Sequence, residues 1–298
     1  MNSTIHYTHC PVCGSTLIHP VLSAKDYTVS EKNFSIWQCD ACSLRFTQDV
    51  PDIDTIGEYY KSENYISHTN TSKGLINRLY QLIRKRTLKQ KRKLVIKITG
   101  IKQGALLDLG SGTGAFVNEM KINGWNVTGL EPDPGAREVA RETFNCELKN
   151  TNELFHLPQN SFNAITLWHV LEHVHDLQNY VRQLKNLLQQ NGKIVIAVPN
   201  YTSFDASAYK EYWAAYDVPR HLYHFSPSAI KFLIETNGMK IINCRPMWFD
   251  SFYVSLLSSK YKNGATNWPG AVWVGFLSNL KAMRNKKRCS SVIYIIGK

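Results

Sequence analysis

Ala105-Leu-Leu-Asp-Leu-Gly-Ser-Gly-Thr-Gly114 decides how this chain is read. Five residues of mostly apolar character suit a short buried strand, and the three alternating glycines that follow suit a tight turn. A helix is expected from about 114 to 123, closed by Gly124. A strand that runs into such a turn brings the backbone to the carboxyl edge of a parallel sheet, where open sheets bind ligands. Outward from that point, strand and helix alternate. Residues 125–131 read as a second strand and 134–144 as a helix with Pro134 near its first turn. A third strand is expected at 146–149, a fourth at 163–168, a helix at about 176–190, and a fifth strand at 193–198 stopped by Pro199. Two last strands are expected at 240–245 and 291–296. This alternation predicts an α/β fold with a doubly wound, mostly parallel sheet.

The turn also suggests what it holds. Glu131 closes the second strand, where a carboxylate can accept hydrogen bonds from two ribose hydroxyls. Gly110-x-Gly112-x-x-Ala115 satisfies the dinucleotide fingerprint as well, with Ala in its third position. Asp108, two residues before the first glycine, separates the two readings. A carboxylate there repels a pyrophosphate but suits the ammonium end of S-adenosylmethionine.

Three segments in order, 105–114, Gly129-Leu-Glu-Pro-Asp133 and Phe162-Asn-Ala-Ile-Thr-Leu-Trp-His-Val-Leu-Glu-His173, resemble the class I S-adenosylmethionine-dependent methyltransferases. The resemblance covers about residues 59–298. It implies a seven-stranded sheet whose last strand runs antiparallel, matching 291–296. It implies further that Asp108, Gly110 and Gly112 line the methionine portion, with Gly114 completing the cofactor turn. Glu131 would bind the ribose, 151–154 lie by the adenine, and Trp168 stand near the cofactor's floor.

The first 50 residues read as a separate small module. Cys10-Pro-Val-Cys13 and Cys39-Asp-Ala-Cys42 each offer two thiolates from one turn, and together they suit a tetrahedral four-sulfur zinc site. A closed site of this kind is structural, and it supplies folding energy that so small a core lacks. Seven cysteines in all make a closed disulfide framework a poor fit. This zinc-ribbon front end resembles that of sugar C-methyltransferases of antibiotic pathways, which carry a Glu-His pair before Tyr-Phe-Ser, the His acting as base. The comparable segment here is Val218-Pro-Arg-His-Leu-Tyr-His-Phe-Ser226. His221 falls on the base position, and Arg220 stands where that family has Glu. An imidazole is a reasonable base because its ordinary titration lies near neutral pH. His169, Glu172 and His173 resemble the metal-binding Glu-x-x-Glu-His of ubiquinone-pathway O-methyltransferases, with His169 in place of the first Glu. His173 is thus a second catalytic candidate, shaping the acceptor pocket.

The net charge of +12 is unevenly distributed. Residues 64–107 and 251–298 are rich in Lys and Arg; after Asn64 no acid precedes Asp108, and after Ser251 none follows at all. Such basic segments suit an anionic partner or simply a solvated helix face. The expected organisation is a zinc ribbon at 1–50, a basic helical linker or cap at 51–103, and the methyltransferase domain at 104–298. An aromatic-rich insertion is expected at about 248–290, where Trp248, Phe249, Trp268, Trp273 and Phe276 suit a lid, packing, or contact with a membrane surface. Tyr59, Tyr60 and Tyr65 are candidates to close over the cofactor, and Tyr209, Tyr212, Trp213 and Tyr216 to wall the acceptor site. No stretch is apolar enough to span a bilayer and the N-terminus lacks the pattern of a signal peptide, so a cytoplasmic location is expected. The expected partner is a small-molecule methyl acceptor: a sugar, a nucleotide-linked sugar or a lipid-linked precursor. A rival is an RNA methyltransferase that grips a backbone through the ribbon and the basic helix. Against it, 168–173 carries no Asn-Pro-Pro-Tyr-like signature. A cofactor-binding regulator without turnover is a third reading.

Overall fold

The computed structural model describes residues 4–61 and 75–298, the side chains of 75–85 excepted. Tyr65 and the apolar side chains from Leu75 to Ile83 lie outside them.

Among the described residues the main sheet has six strands: β6 (Ala105–Leu109), β7 (Asn126–Leu130), β8 (Phe162–Trp168), β9 (Leu188–Pro199), β11 (Lys240–Pro246) and β12 (Ser291–Gly297). Their order is β11-β12-β9-β8-β6-β7, so the chain starts in the sheet's interior and crosses over to build both sides. β6 pairs in parallel with β7 and β8, with Asp108 opposite Gly129 on one side and Thr166 on the other. β12 runs against its neighbours: Asn200, just past β9, donates to Ser290, and Met247, just past β11, donates to Ser291. The antiparallel last strand is therefore present. The seventh strand expected at 146–149 is reduced to one parallel bridge, Leu130 to Lys149. Lys149 N donates to Gly129 O and Lys149 O accepts from Glu131 N. Asn145 ends the preceding helix in a left-handed conformation (φ 49°), and Asn150 caps the turn that follows. Between two caps there is room for little more than one ladder pair.

Eight helices are described: α1 (Leu75–Thr99), α2 (Ala115–Lys121), α3 (Pro134–Phe144), α4 (Leu177–Leu187), α5 (Phe204–Tyr209), α6 (Pro227–Thr236), α7 (Asp250–Asn263) and α8 (Trp268–Arg284). Their starts follow ordinary capping chemistry. Asp133 accepts from Gly135 N and Ala136 N before Pro134-led α3, and Ser226 accepts from Ala229 N before Pro227-led α6.

The chain divides into two compact units. One comprises Thr69–Val170, Val181–Ile196 and Ile295–Lys298. Its core includes Val95, Leu106, Phe116, Met120, Trp125 and Ala164. The other comprises Met1–His68, Leu171–Tyr180 and Ala197–Tyr294. There β2 (Ile18–Lys25), β3 (Asn33–Cys39), β4 (Arg45–Thr47) and β10 (Tyr223–His224) form an antiparallel sheet, and β1 (Thr4–Ile5) pairs with β5 (Val50–Pro51). Tyr209, Trp213 and Tyr216 are buried there in a core with Ala24, Ile36 and Val218. Trp213 and Tyr209 are thus first of all packing residues. Among the described residues no helix is long and apolar enough to cross a membrane.

Candidate functional site

The glycine turn after β6 adopts the conformation that its glycines allow. Gly110, Gly112 and Gly114 all have positive φ (65°, 52° and 75°), the left-handed region that a Cβ makes costly. Two of them also pack tightly: a Cβ on Gly110 would run into Val170 Cγ2, and one on Gly114 would meet Ala140 Cβ at 2.7 Å. A Cβ on Gly112 would meet nothing within 4 Å. At Gly112, therefore, the backbone faces open space, as a cofactor cradle requires.

Around that opening the structure places the expected carboxylates. Asp108 is buried, and Thr166 Oγ1 donates to its Oδ1 at 2.5 Å. Burial pushes its carboxyl up to about 6, against the Thr166 hydrogen bond and the Lys91 charge, which pull it down. Glu131 accepts from Gly112 N at 2.7 Å through Oε2 and from Asp133 N at 3.0 Å through Oε1. Burial raises its carboxyl too, opposed by those two amides. Each oxygen keeps a second lone pair, so ribose hydroxyls can still be accepted. Trp168 meets Phe116 edge to face at 5.9 Å, and Lys91 Nζ lies 4.3 Å from the Trp168 ring centroid. The Trp168 Nε1 is buried with no hydrogen-bond partner among the described residues. An unmatched buried donor, an open glycine and two buried carboxylates fit a nucleoside that carries an ammonium group.

The other unit holds the candidate base. His221 is nearly buried, and its Nδ1 lies 2.8 Å from Ala215 O. A carbonyl only accepts, so Nδ1 carries a hydrogen toward it, and Nε2 is the nitrogen on the ring's other side. Asp217 Oδ2 lies 3.9 Å from that Nε2. The His173 ring stands nearly perpendicular to it with centroids 4.6 Å apart. His173 Nδ1 lies 2.9 Å from Arg220 O and 3.0 Å from the Tyr60 hydroxyl. Burial, with the His221 charge second, drops His173 to about 4, so it is neutral at neutral pH.

Arg220, in the place of a Glu, is a buried tie. It donates to Asp217 through Nε at 3.1 Å and Nη2 at 2.5 Å, to Asp26 and Thr28 through Nη2, and to Tyr59 O through Nη1. Burial alone would raise Asp217, but the Arg220 hydrogen bond and the His221 charge hold it below the ordinary carboxylate range.

The metal-ligating atoms of Glu172, His173 and His221 all lie within 4.8 Å of one another. His221 thus completes the group for which the sequence offered His169. The four ribbon cysteines also gather as expected, every Sγ within 4.8 Å of the others. Each pair sits on a turn closed by a backbone bond, Gly14 N to Cys10 O and Ser43 N to Cys39 O, both 2.9 Å, with Gly14 and Ser43 left-handed. This donor set and spacing fit a tetrahedral zinc.

Sequence reasoning missed several contributors. Thr166 is opposite Asp108 in the strand register, so aligning the two strands would have found it. Asp217 and Arg45 gave no signal of their own. Arg45 Nε donates to Gln38, its Nη1 to the Tyr216 hydroxyl, and its guanidinium stacks 4.2 Å from the Tyr201 ring centroid. No carboxylate among the described residues forms an ion pair with it. It lines a cleft of about 530 Å³ with Tyr201, Lys210, Glu211 and Tyr216.

Fold and turn together define an α/β protein with a mostly parallel sheet and a glycine turn, flanked by two buried carboxylates, at the carboxyl end of its first strand. The family described as "Methyltransferase domain" matches residues 78–243, more than half of the chain, and the chain belongs to that family. A demethylmenaquinone methyltransferase of Tropheryma whipplei (strain Twist) is 26% identical over 152 residues, 49% of this chain and 64% of the relative. An uncharacterized methyltransferase of Alkaliphilus oremlandii is 30% identical over 112 residues, 37% of this chain and 50% of the relative. The chain therefore spans less than two thirds of either relative's length. In fold it is similar to magnesium protoporphyrin IX methyltransferase from Synechocystis PCC 6803 with bound S-adenosylhomocysteine. There the TM-score is 0.54 at 12% identity, covering 82% of this chain and 99% of the other.

Proposed function

We propose that this protein methylates a carbon or oxygen of a small anionic acceptor, such as a nucleotide-linked sugar or a lipid-linked precursor, with His221 as the base. S-adenosylmethionine supplies a methyl group already activated on a sulfonium. The chain's own residues align the reactants and take up the acceptor's proton. Asp108 pairs with the cofactor ammonium, Glu131 holds the ribose, and Trp168 offers its indole N–H beneath.

One observation supports the reading: His221 Nδ1 donates to Ala215 O, and Nε2, the nitrogen that would take the acceptor's proton, stands 3.9 Å from the Asp217 carboxylate. In the neutral ring that arrangement favours the tautomer a base needs, and the carboxylate would stabilise the imidazolium formed on proton uptake. His173, neutral and nearly perpendicular, buttresses the ring without adding a like charge. Arg45 supports an anionic acceptor, since a half-buried guanidinium with no carboxylate mate among the described residues, at the wall of a cleft, suits a phosphate. The ribbon cysteines would hold one structural zinc, which organises the turns around Cys10 and Cys39.

Replacing His221 with Ala tests this. Binding of S-adenosylhomocysteine, measured by calorimetry, should stay within about twofold of the native protein. Labelled methyl transfer from S-adenosylmethionine into nucleotide-linked sugars and lipid-linked precursors should fall by about 10²–10⁴. Unchanged transfer would remove His221 as base. RNA binding that weakens steeply with salt would favour the nucleic-acid reading instead.

A further inference from the structure

Helix α8 is built inside out for a helix of a free-standing protein. Its inward positions are small: Ala271, Gly275, Ser278 and Ala282, at spacings of four, three and four, are all buried. Gly275 is needed for the approach of α7, because a Cβ there would meet Phe252 Cδ1 at 2.8 Å and the Phe252 Cα at 3.1 Å. The large apolar residues point the other way. Trp268, Val272, Trp273, Phe276, Leu280 and Met283 are exposed, with Trp268 at 64%, Trp273 at 59% and Met283 at 70%. They share one helical face, and Trp273 and Phe276 stack on each other 5.8 Å apart. Most surface helices put such residues inward. A continuous apolar face of this extent marks an interaction surface.

Charge identifies the partner. Arg284, at the C-terminal end of the helix, and Lys286, Lys287 and Arg288, in the turn just beyond it, are all exposed. Between Ser251 and Lys298 there is no Asp or Glu. A second copy of the chain laid on this face would have no carboxylate in the segment to offer these cations, and like charges would meet. An apolar stripe with indole rings and a basic end matches the interface of an anionic bilayer, where aromatic rings sit at headgroup depth and Lys and Arg meet lipid phosphates. At 17 residues, and with no candidate span among the described helices, α8 would lie in that interface and not cross it.

We infer that the outer face of α8 docks this protein on anionic phospholipid membranes. The test uses the full chain with vesicles of phosphatidylglycerol and phosphatidylcholine, against phosphatidylcholine alone, read by co-sedimentation and tryptophan emission. Binding is expected on the anionic vesicles, with a blue-shifted emission, and added salt should weaken it. Trp273→Ser combined with Phe276→Ser changes only exposed side chains. It should reduce binding by at least about tenfold while leaving the thermal midpoint and S-adenosylhomocysteine binding unchanged. Lys286→Ala with Lys287→Ala should weaken binding to anionic vesicles selectively. Three results would overturn the inference: no binding to anionic vesicles, binding that the aromatic double variant leaves intact, or a chain that ignores vesicles and instead forms dimers that the same variant dissociates.

Discussion

Asp108 shows how a residue proposed for cofactor binding can work against the fold that carries it. Its carboxyl, raised to about 6 by burial, is harder to ionise in the folded chain than in the unfolded one. A carboxylate raised in this way contributes stability below the ordinary range near 4, and that contribution is lost as pH climbs through 6. At neutral pH the cost is about 3 kcal/mol. Asp108→Asn should therefore raise the denaturant midpoint at neutral pH, with little gain in acid, because Thr166 can still donate to the amide oxygen. The same change should abolish most of the affinity for S-adenosylhomocysteine, whose ammonium needs the charge. In the native protein, cofactor affinity should decline as pH falls below about 6. Calorimetry across pH reads both effects. If the Asp108→Asn variant bound the cofactor as well as the native protein does, the ammonium would not sit there.

At the scale of the element, the turn between β6 and α2 separates two uses of glycine. Gly112 has space before it, whereas Gly114 is wedged against Ala140 of α3. Gly112→Ala should cost only the left-handed strain, about 1–2 kcal/mol, but reduce cofactor binding sharply because the methyl occupies the cradle. Gly114→Ala should add overpacking of about 1–3 kcal/mol and lower the thermal midpoint further. Equal effects of the two on binding and stability would contradict this division. Most strands of the main sheet were legible at this scale because they are short apolar runs beside a turn signal, and α3 at 134–144 came out as expected, whereas β9 begins at Leu188, inside the stretch expected to be helix. The strand at 146–149 did not, because caps on both sides leave room for a single bridge, and capping competes with pairing in ways that apolar content does not reveal.

For the molecule as a whole, the cysteine quartet and the buried polar ties matter most. The purified protein should carry about one zinc per chain by elemental analysis, and Cys39→Ser should lose it and lower the thermal midpoint. A metal-free chain that melts like the native one would remove the zinc. Arg220 ties together Asp217, Asp26 and the Tyr59 carbonyl, groups far apart in sequence. Spacing cannot announce such a network, since each member looks like an ordinary polar residue until the chain has folded.

Sequence alone determined the α/β class, the glycine turn flanked by Asp108 and Glu131, and the paired cysteines. All of these rest on neighbours a few residues apart, where backbone geometry follows directly from residue type. Tertiary structure decided the rest. It set His221 against His173 and Asp217, gave Arg220 a structural task, left Arg45 without a carboxylate among the described residues, and turned the large side chains of α8 outward. A helical period shows that a helix has faces, but only packing against α7 decides which face is covered.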